Sequence, residues 1–341
     1  MFNVRLTPYR PELGTIFDRQ TKEHSLVSLD GRYRFWIGNN PEMPDPDFWV
    51  VQGKGVRQGE TCRVASQNTI LLTTEPRSVL YYPQCYIDQF GLVCTCQEQT
   101  KHPNVHFGPA ILPWFIGYTE DVQGKITSCK LDYDKLKTMP TPQKPKLLSV
   151  ITSNKAFTQG HIERIKFVEK LKAYYGDALD VYGRGFNDFG DKWDVLSQYK
   201  YHIVIENSSQ SYYWTEKISD CLIAETFPFY YGCTNMADYV PRQAFEPIDI
   251  HRPDEAIKMI DAQIKQNRYE QSRKALSEAK QLMLDKYNMF EYIVSLCDTL
   301  DASVPKQEVT IMPCRSSQDF RNFWRYSVGR KWYELKYKLQ R

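Results

Sequence analysis

The strongest periodic pattern in the chain begins near residue 147. Residues 147–152 form an apolar run that predicts a strand, and apolar positions 162, 165, 167/168 and 171 recur at helical spacing, predicting a helix over 162–174. A short strand over 179–182 ends in a turn built from Gly183, Arg184 and Gly185. Helical character over 192–198 and 215–225 alternates with strands over 201–205 and 227–231, the last stopped by Gly232. Helices over 256–265 and 271–287 close the segment. Strands alternating with helices imply βαβ units and a parallel sheet, so the fold class is α/β. Before residue 139 the pattern is weaker. Residues 69–72, 91–96 and 105–107 read as short parallel strands, and the aromatic, irregular stretch 34–56 reads as surface loops. Pro140, Pro142 and Pro145 disfavour regular structure and mark a linker. With 341 residues, two domains are expected. The expected division is a first domain over 1–139, a linker over 140–146, a second domain over 147–305 and a tail over 306–341.

Composition changes this picture little. The chain is 42% hydrophobic and 25% charged, as soluble globular proteins are, and aromatics reach 14%. No apolar run is long enough for a signal peptide or a membrane span, and six scattered histidines have no ligand-like spacing, so no metal site is expected. Nine cysteines without repeated pair spacing read as free thiols in a reducing compartment, and a cytoplasmic location follows. The net charge of +3 hides an asymmetry: from Arg315 to Arg341 there are eight basic and two acidic residues, leaving the rest of the chain acidic. In the same tail Phe320, Trp324, Val328, Trp332, Leu335 and Leu339 recur every three to four residues. That stripe fits either an amphipathic helix drawn to anionic lipid over 315–341 or a last helix packed on the body. Basic residues among aromatics also suit nucleic acid, but nothing else in the chain supports such a partner.

Candidate chemistry concentrates in the string ENSSQSYYWTEK at 206–217. It follows a buried strand, contains a polar loop and leads into a helix starting near Thr215. A helix N-terminus at a strand exit offers free N–H groups and partial positive charge to an anion. Lys217 in the first helical turn opposes the helix dipole, a conflict that a bound diphosphate would resolve. Alternatively this is an ordinary helix capped by Thr215, with Lys217 in water. The whole run of 203–232 resembles the donor-binding signature of glycosyltransferase family 10, the α-1,3-fucosyltransferases. Glu206, Asn207, Tyr213, Thr215, Glu216, Lys217, Pro228, Tyr230 and Gly232 fill the places of that pattern, while Trp214 stands where a smaller apolar residue is usual.

The resemblance implies a GT-B fold: two Rossmann-like domains with an interdomain cleft, the first binding acceptor and the second GDP-sugar. It implies that Lys217 and Arg164 neutralise the diphosphate, that Glu216 and Tyr213 contact donor hydroxyls or base, and that Asn207 holds the loop. Arg184, between two glycines, is a further phosphate-side candidate by position. In the first domain Glu75 ends an apolar strand and is held extended by Pro76. It matches approximately the family's catalytic base for an inverting attack on the donor, and is otherwise a turn residue. Trp114 stands as an acceptor-side aromatic able to stack on a sugar, or as a core residue. The reading is an inverting transferase moving fucose from GDP-fucose to a glycan hydroxyl, in surface polysaccharide or lipopolysaccharide synthesis, with no metal required. A different nucleotide sugar, or a catalytically silent glycan-binding protein, are the alternatives.

Overall fold

The computed structural model describes residues 1–8, 14–121, 126–154, 156, 158–314, 328, 331, 332 and 335. The chain divides into two compact units. In unit 1, strands β1 (Phe2–Thr7), β2 (Tyr33–Ile37), β3 (Phe48–Gln52), β5 (Thr69–Leu72), β6 (Leu92–Thr95) and β7 (Val105–Phe107) form a parallel sheet in the order β2-β1-β3-β5-β6-β7, while β4 (Glu60–Val64) lies outside it. β3, β5 and β6 are buried along their whole length. Parallel strands covered on both faces need such unbroken apolar runs.

The stretch 34–56 is therefore not surface loop: it holds most of β2 and all of β3. Prolines and aspartates at 41–47 flank β3 and disguise it, and its partner β1 carries a charged residue in the core. Arg5 of β1 is buried with its guanidinium 4.4 Å from the Trp49 ring centroid, and it pairs with Glu60.

Unit 2 contains β8 (Tyr118–Glu120), and β9 (Ile126–Cys129) belongs to unit 1. The sheet of unit 2 is built from β10 (Lys146–Ile151), β11 (Leu179–Tyr182), β12 (Tyr199–Gln210), β13 (Phe227–Cys233) and β14 (Glu246–Pro247), all parallel, in the order β11-β10-β12-β13-β14. The order reverses at β10, with β11 on one side and β12 on the other. This is the topological switch point at which open α/β sheets bind ligands, outside the carboxyl ends of the strands.

Short helices α1 (Gly14–Asp18), α2 (Gln84–Ile87) and α3 (Tyr133–Thr138) precede this sheet. Of the helices connecting or following its strands, α4 (Gln159–Tyr175) starts at Thr158, whose side chain accepts from the His161 amide, and ends at Gly176 with φ +53°. α5 (Lys192–Leu196) is capped by Asp191 and α6 (Glu216–Ile223) by Thr215. α7 (Pro253–Lys265) and α8 (Arg268–Asp285) follow. Gly232 does not stop β13, which continues to Cys233. A Cβ there would lie 2.6 Å from Glu206 Cγ and 2.4 Å from the Tyr230 hydroxyl, so the glycine makes room for Glu206.

The chain crosses back to unit 1 at Asp285, and residues 285–314 belong to that unit, where a second domain running to residue 305 was expected. Helix α9 (Met289–Cys297) sets Phe290 against Phe35 with ring centroids 4.7 Å apart. Just beyond α9, Asp298 takes two 2.8 Å bonds from Arg32. Strand β15 (Gln307–Ile311) then pairs antiparallel with β4, from Gln307 opposite Val64 to Ile311 opposite Glu60. Ile311 and Cys314 enter the core cluster of Trp49, Tyr86 and Phe90, so residues 307–314 are structural elements of unit 1, where a basic tail from 306 was expected.

Candidate functional site

A cavity of about 380 Å³ opens at the carboxyl ends of β10, β11 and β12, within unit 2. Three pieces of local chemistry build it. The first is the turn after β11, where Gly183 has φ +113° and a Cβ would lie 1.8 Å from Thr152 O. Only glycine tolerates both conditions. The amides of Thr152 and Asn154 donate to Tyr182 O and Arg184 O, at 2.8 and 3.1 Å, extending the β10–β11 ladder to the rim. Arg184 follows, exposed, on the cavity wall.

The second piece is Arg164. It lies one turn into α4, only 6% exposed, with Nη1 donating to Asn207 Oδ1 at 2.9 Å and Nη2 to Ser153 O and Oγ at 3.3 Å. Its Nε has no partner among the described residues. Burial lowers its pKa, with Glu206 and Tyr213 acting to raise it. Asn207, near the end of β12, thus ties Arg164 to that strand.

The third piece is the start of α6. Glu206, fully buried, accepts from the Thr215 amide at 2.9 Å, the Thr215 hydroxyl at 2.8 Å and Lys217 Nζ at 3.0 Å. Lys217 is therefore not a cation loose in water: Glu206 anchors it at the cavity. Burial pushes the Glu206 carboxyl up and Lys217 pulls it down, the net shift being upward. Glu216 stands between two lysines, 3.7 Å from Lys217 and 3.8 Å from Lys192. Burial would raise it, yet those two cations hold it below its ordinary value. Lys192, on α5, donates to Asp220 at 2.8 Å, and Asp220 also accepts from the Phe115 amide at 2.7 Å.

The lining thus carries four cations, Arg164, Arg184, Lys192 and Lys217, against the carboxylates Glu216 and Asp220. His202 on the floor adds no charge, because burial, then Lys192 and Lys144, lower its pKa to about 3. A net positive, partly desolvated cavity at a strand-end switch point is suited to a phosphorylated ligand. Among the described residues no three His, Cys, Asp or Glu side chains come together as a metal-binding group.

Of the residues singled out from the sequence, Arg164, Arg184, Glu216 and Lys217 line the cavity together. Tyr213 is fully buried and is not among the residues that line the cavity. Trp114 is corrected too. It opens a segment of unit 2 and is 2% exposed, which leaves no ring face for a sugar. Glu75 sits at the exit of β5, half-buried, in unit 1. The backbone of this turn is fixed, since Gln97 Nε2 donates to Glu75 O and Leu80 O, both at 2.9 Å. Sequence reasoning missed Lys192, Asp220, Thr152 and Ser153. The local sequence signal near Lys192 is the Asp191 cap that starts α5.

Residues 141–310 match the family described as glycosyltransferase family 10 (fucosyltransferase), C-terminal part. The chain belongs to glycosyltransferase family 10. The family 10 match spans β10 to β15 and contains the whole cavity. A stretch of 71 residues is 38% identical to alpha-(1,3)-fucosyltransferase FucT of Helicobacter pylori, covering 20% of this chain and 15% of that relative. A crystal structure of an alpha1,3-fucosyltransferase superposes with TM-score 0.50 at 16% identity, covering 89% of this chain and 91% of that one. Another, with GDP-fucose, superposes with TM-score 0.47 at 18% identity over 89% and 92%. The fold is GT-B, with a Rossmann-like sheet in each unit.

Proposed function

We propose that this family 10 protein is a fucosyltransferase that moves fucose from GDP-fucose to a hydroxyl of a glycan acceptor, with inversion. The observation that carries this reading is the cavity at the switch point, where Arg164 and Lys217 are held by Asn207 and Glu206 rather than left in solvent. Arg164, Lys217 and Arg184 would neutralise the donor's diphosphate, and Glu216, kept ionised by two lysines, would accept from donor hydroxyls. The charge that grows on departing GDP is then stabilised by groups already in place, which is the largest catalytic effect such a site offers. Glu75 would take the proton of the acceptor hydroxyl as its oxygen attacks the anomeric carbon. The bond from that carbon to the β-phosphate oxygen breaks, and its electron pair leaves with GDP. Because protein cations supply the positive charge, transfer is expected to survive chelation of divalent metal.

The α-(1,3) linkage named for the Helicobacter pylori relative is the linkage we assign here, with a surface polysaccharide or lipopolysaccharide as acceptor. The tail would hold the enzyme at an anionic membrane face on the cytoplasmic side. Most of the tail stripe lies outside the described residues. Val328, Trp332 and Leu335 are helical and 47, 54 and 56% exposed, at the i, i+4, i+7 spacing of one face, which favours the lipid-facing reading. Thermal-shift titration with GDP, GDP-fucose, GDP-mannose and UDP-sugars tests the donor. Stabilisation by GDP and GDP-fucose is expected, and stabilisation only by uridine nucleotides would replace this reading with another sugar donor.

A further inference from the structure

The cavity holds a buried hydroxyl that the fold itself leaves unused. Thr152 stands immediately after β10, at the switch point, and is 7% exposed. It lines the same cavity as Arg164. Its backbone is fixed on both sides: its amide donates to Tyr182 O at 2.8 Å, and its carbonyl is packed against Gly183 so closely that no Cβ fits. Its Oγ1 is buried and has no hydrogen-bond partner among the described residues. The neighbouring Arg164 Nε is in the same condition. Buried polar groups in native proteins are almost always paired, and an orphaned one costs stability. Two orphaned donors lining one cation-lined cavity indicate that their partner is a ligand. At this strand exit the ligand group with acceptors to spare is a phosphate.

We propose that the Thr152 hydroxyl is a binding donor for the diphosphate of the nucleotide, paired in action with the Arg164 guanidinium. The proposal rests on the donor reading given above, and deepens it by naming a neutral hydrogen-bond donor among the cations. Thr152 would add direction rather than charge: a fixed hydroxyl selects one oxygen position, whereas Lys217 attracts any anion nearby.

The test is Thr152→Val, which keeps the shape and removes the hydroxyl. Two readouts are expected to move in opposite directions. The ligand-free protein should melt at the same temperature as wild type or higher, because an unpaired buried polar group is gone. Its Kd for GDP by calorimetry should rise roughly tenfold, the usual scale for a hydrogen bond to a charged partner. Guanosine, which has no phosphate, should bind both proteins equally. Thr152→Ser should restore GDP affinity. If Thr152→Val fails to fold, Thr152→Ala gives the same comparison against Thr152→Ser. Equal GDP affinity in wild type and Thr152→Val would overturn the proposal, as would an equal loss for guanosine. Absence of GDP binding by wild type would instead remove the donor reading on which it rests.

Discussion

At the scale of single residues, the site separates groups that hold from groups that react. Glu206 and Asp220, buried, and Asn207, half-buried, are acceptors whose partners are the cations of the cavity. Removing such an acceptor would leave a charge partly buried and unpaired, a larger effect than the pair's own net contribution. Glu75 differs: its backbone is tied by Gln97, and its carboxylate is the group we assign to proton transfer. Glu75→Ala is therefore expected to lower kcat by roughly 10²- to 10⁴-fold, the usual range for a general base, while GDP affinity stays within about twofold. Retained turnover would take Glu75 out of the mechanism. The cavity residues around Lys217 were legible because Lys217 contradicts the helix dipole and because the string around it resembles a family signature. Thr152 and Lys192 were not legible, since a threonine ending a strand and a lysine starting a helix are ordinary until the cavity is seen around them.

At the scale of elements, legibility followed burial symmetry. β5, β7 and β11 match their expected bounds, and β10 and α4 lie close to theirs, because apolar runs and helical stripes are unambiguous when their surroundings are polar. β1, β2 and β3 were hidden by a buried arginine and by flanking prolines. The return of α9 and β15 to unit 1 was invisible, because pairing across more than 240 positions, such as Thr310 with Thr61, leaves no local trace. It does carry consequences. A chain ending at Cys314 keeps β15 and its core contacts and should fold, but should bind anionic liposomes less than the full chain. A chain ending at Asp285 loses α9 and β15 and should lose the cooperative unfolding transition of unit 1 in circular dichroism. Normal folding of that shorter chain would contradict the role given to these elements.

α9 also brings a pH dependence. Burial, together with Asp30 and Asp285 and against a bond from the Leu29 amide, raises the Glu291 carboxyl to about 7. The folded protein then binds this proton more tightly than the unfolded chain, whose carboxyl titrates near about 4.3. The stability it contributes is complete below that value and is lost as pH rises through about 7. Glu291→Gln should flatten the dependence of melting temperature on pH in this window and raise stability at pH above it. An unchanged slope would show that Glu291 titrates normally.

For the whole molecule, the two sheets divide the proposed chemistry between them. Unit 2 carries a cavity in which Arg164, Lys192 and Lys217 are held by Asn207, Asp220 and Glu206, so nucleotide binding is expected to need little rearrangement there. Unit 1 carries the proposed base, and β15 pairs there with β4 in a separate two-stranded ladder. We infer that the unit 2 cavity binds a guanine nucleotide through its diphosphate. Calorimetric titration of GDP into wild type and Lys217→Ala tests it most directly. Saturable binding by wild type is predicted, weakened roughly 10- to 100-fold in Lys217→Ala, as for a lost charge-assisted bond. Equal affinity in the two proteins, or no GDP binding by wild type, would contradict it.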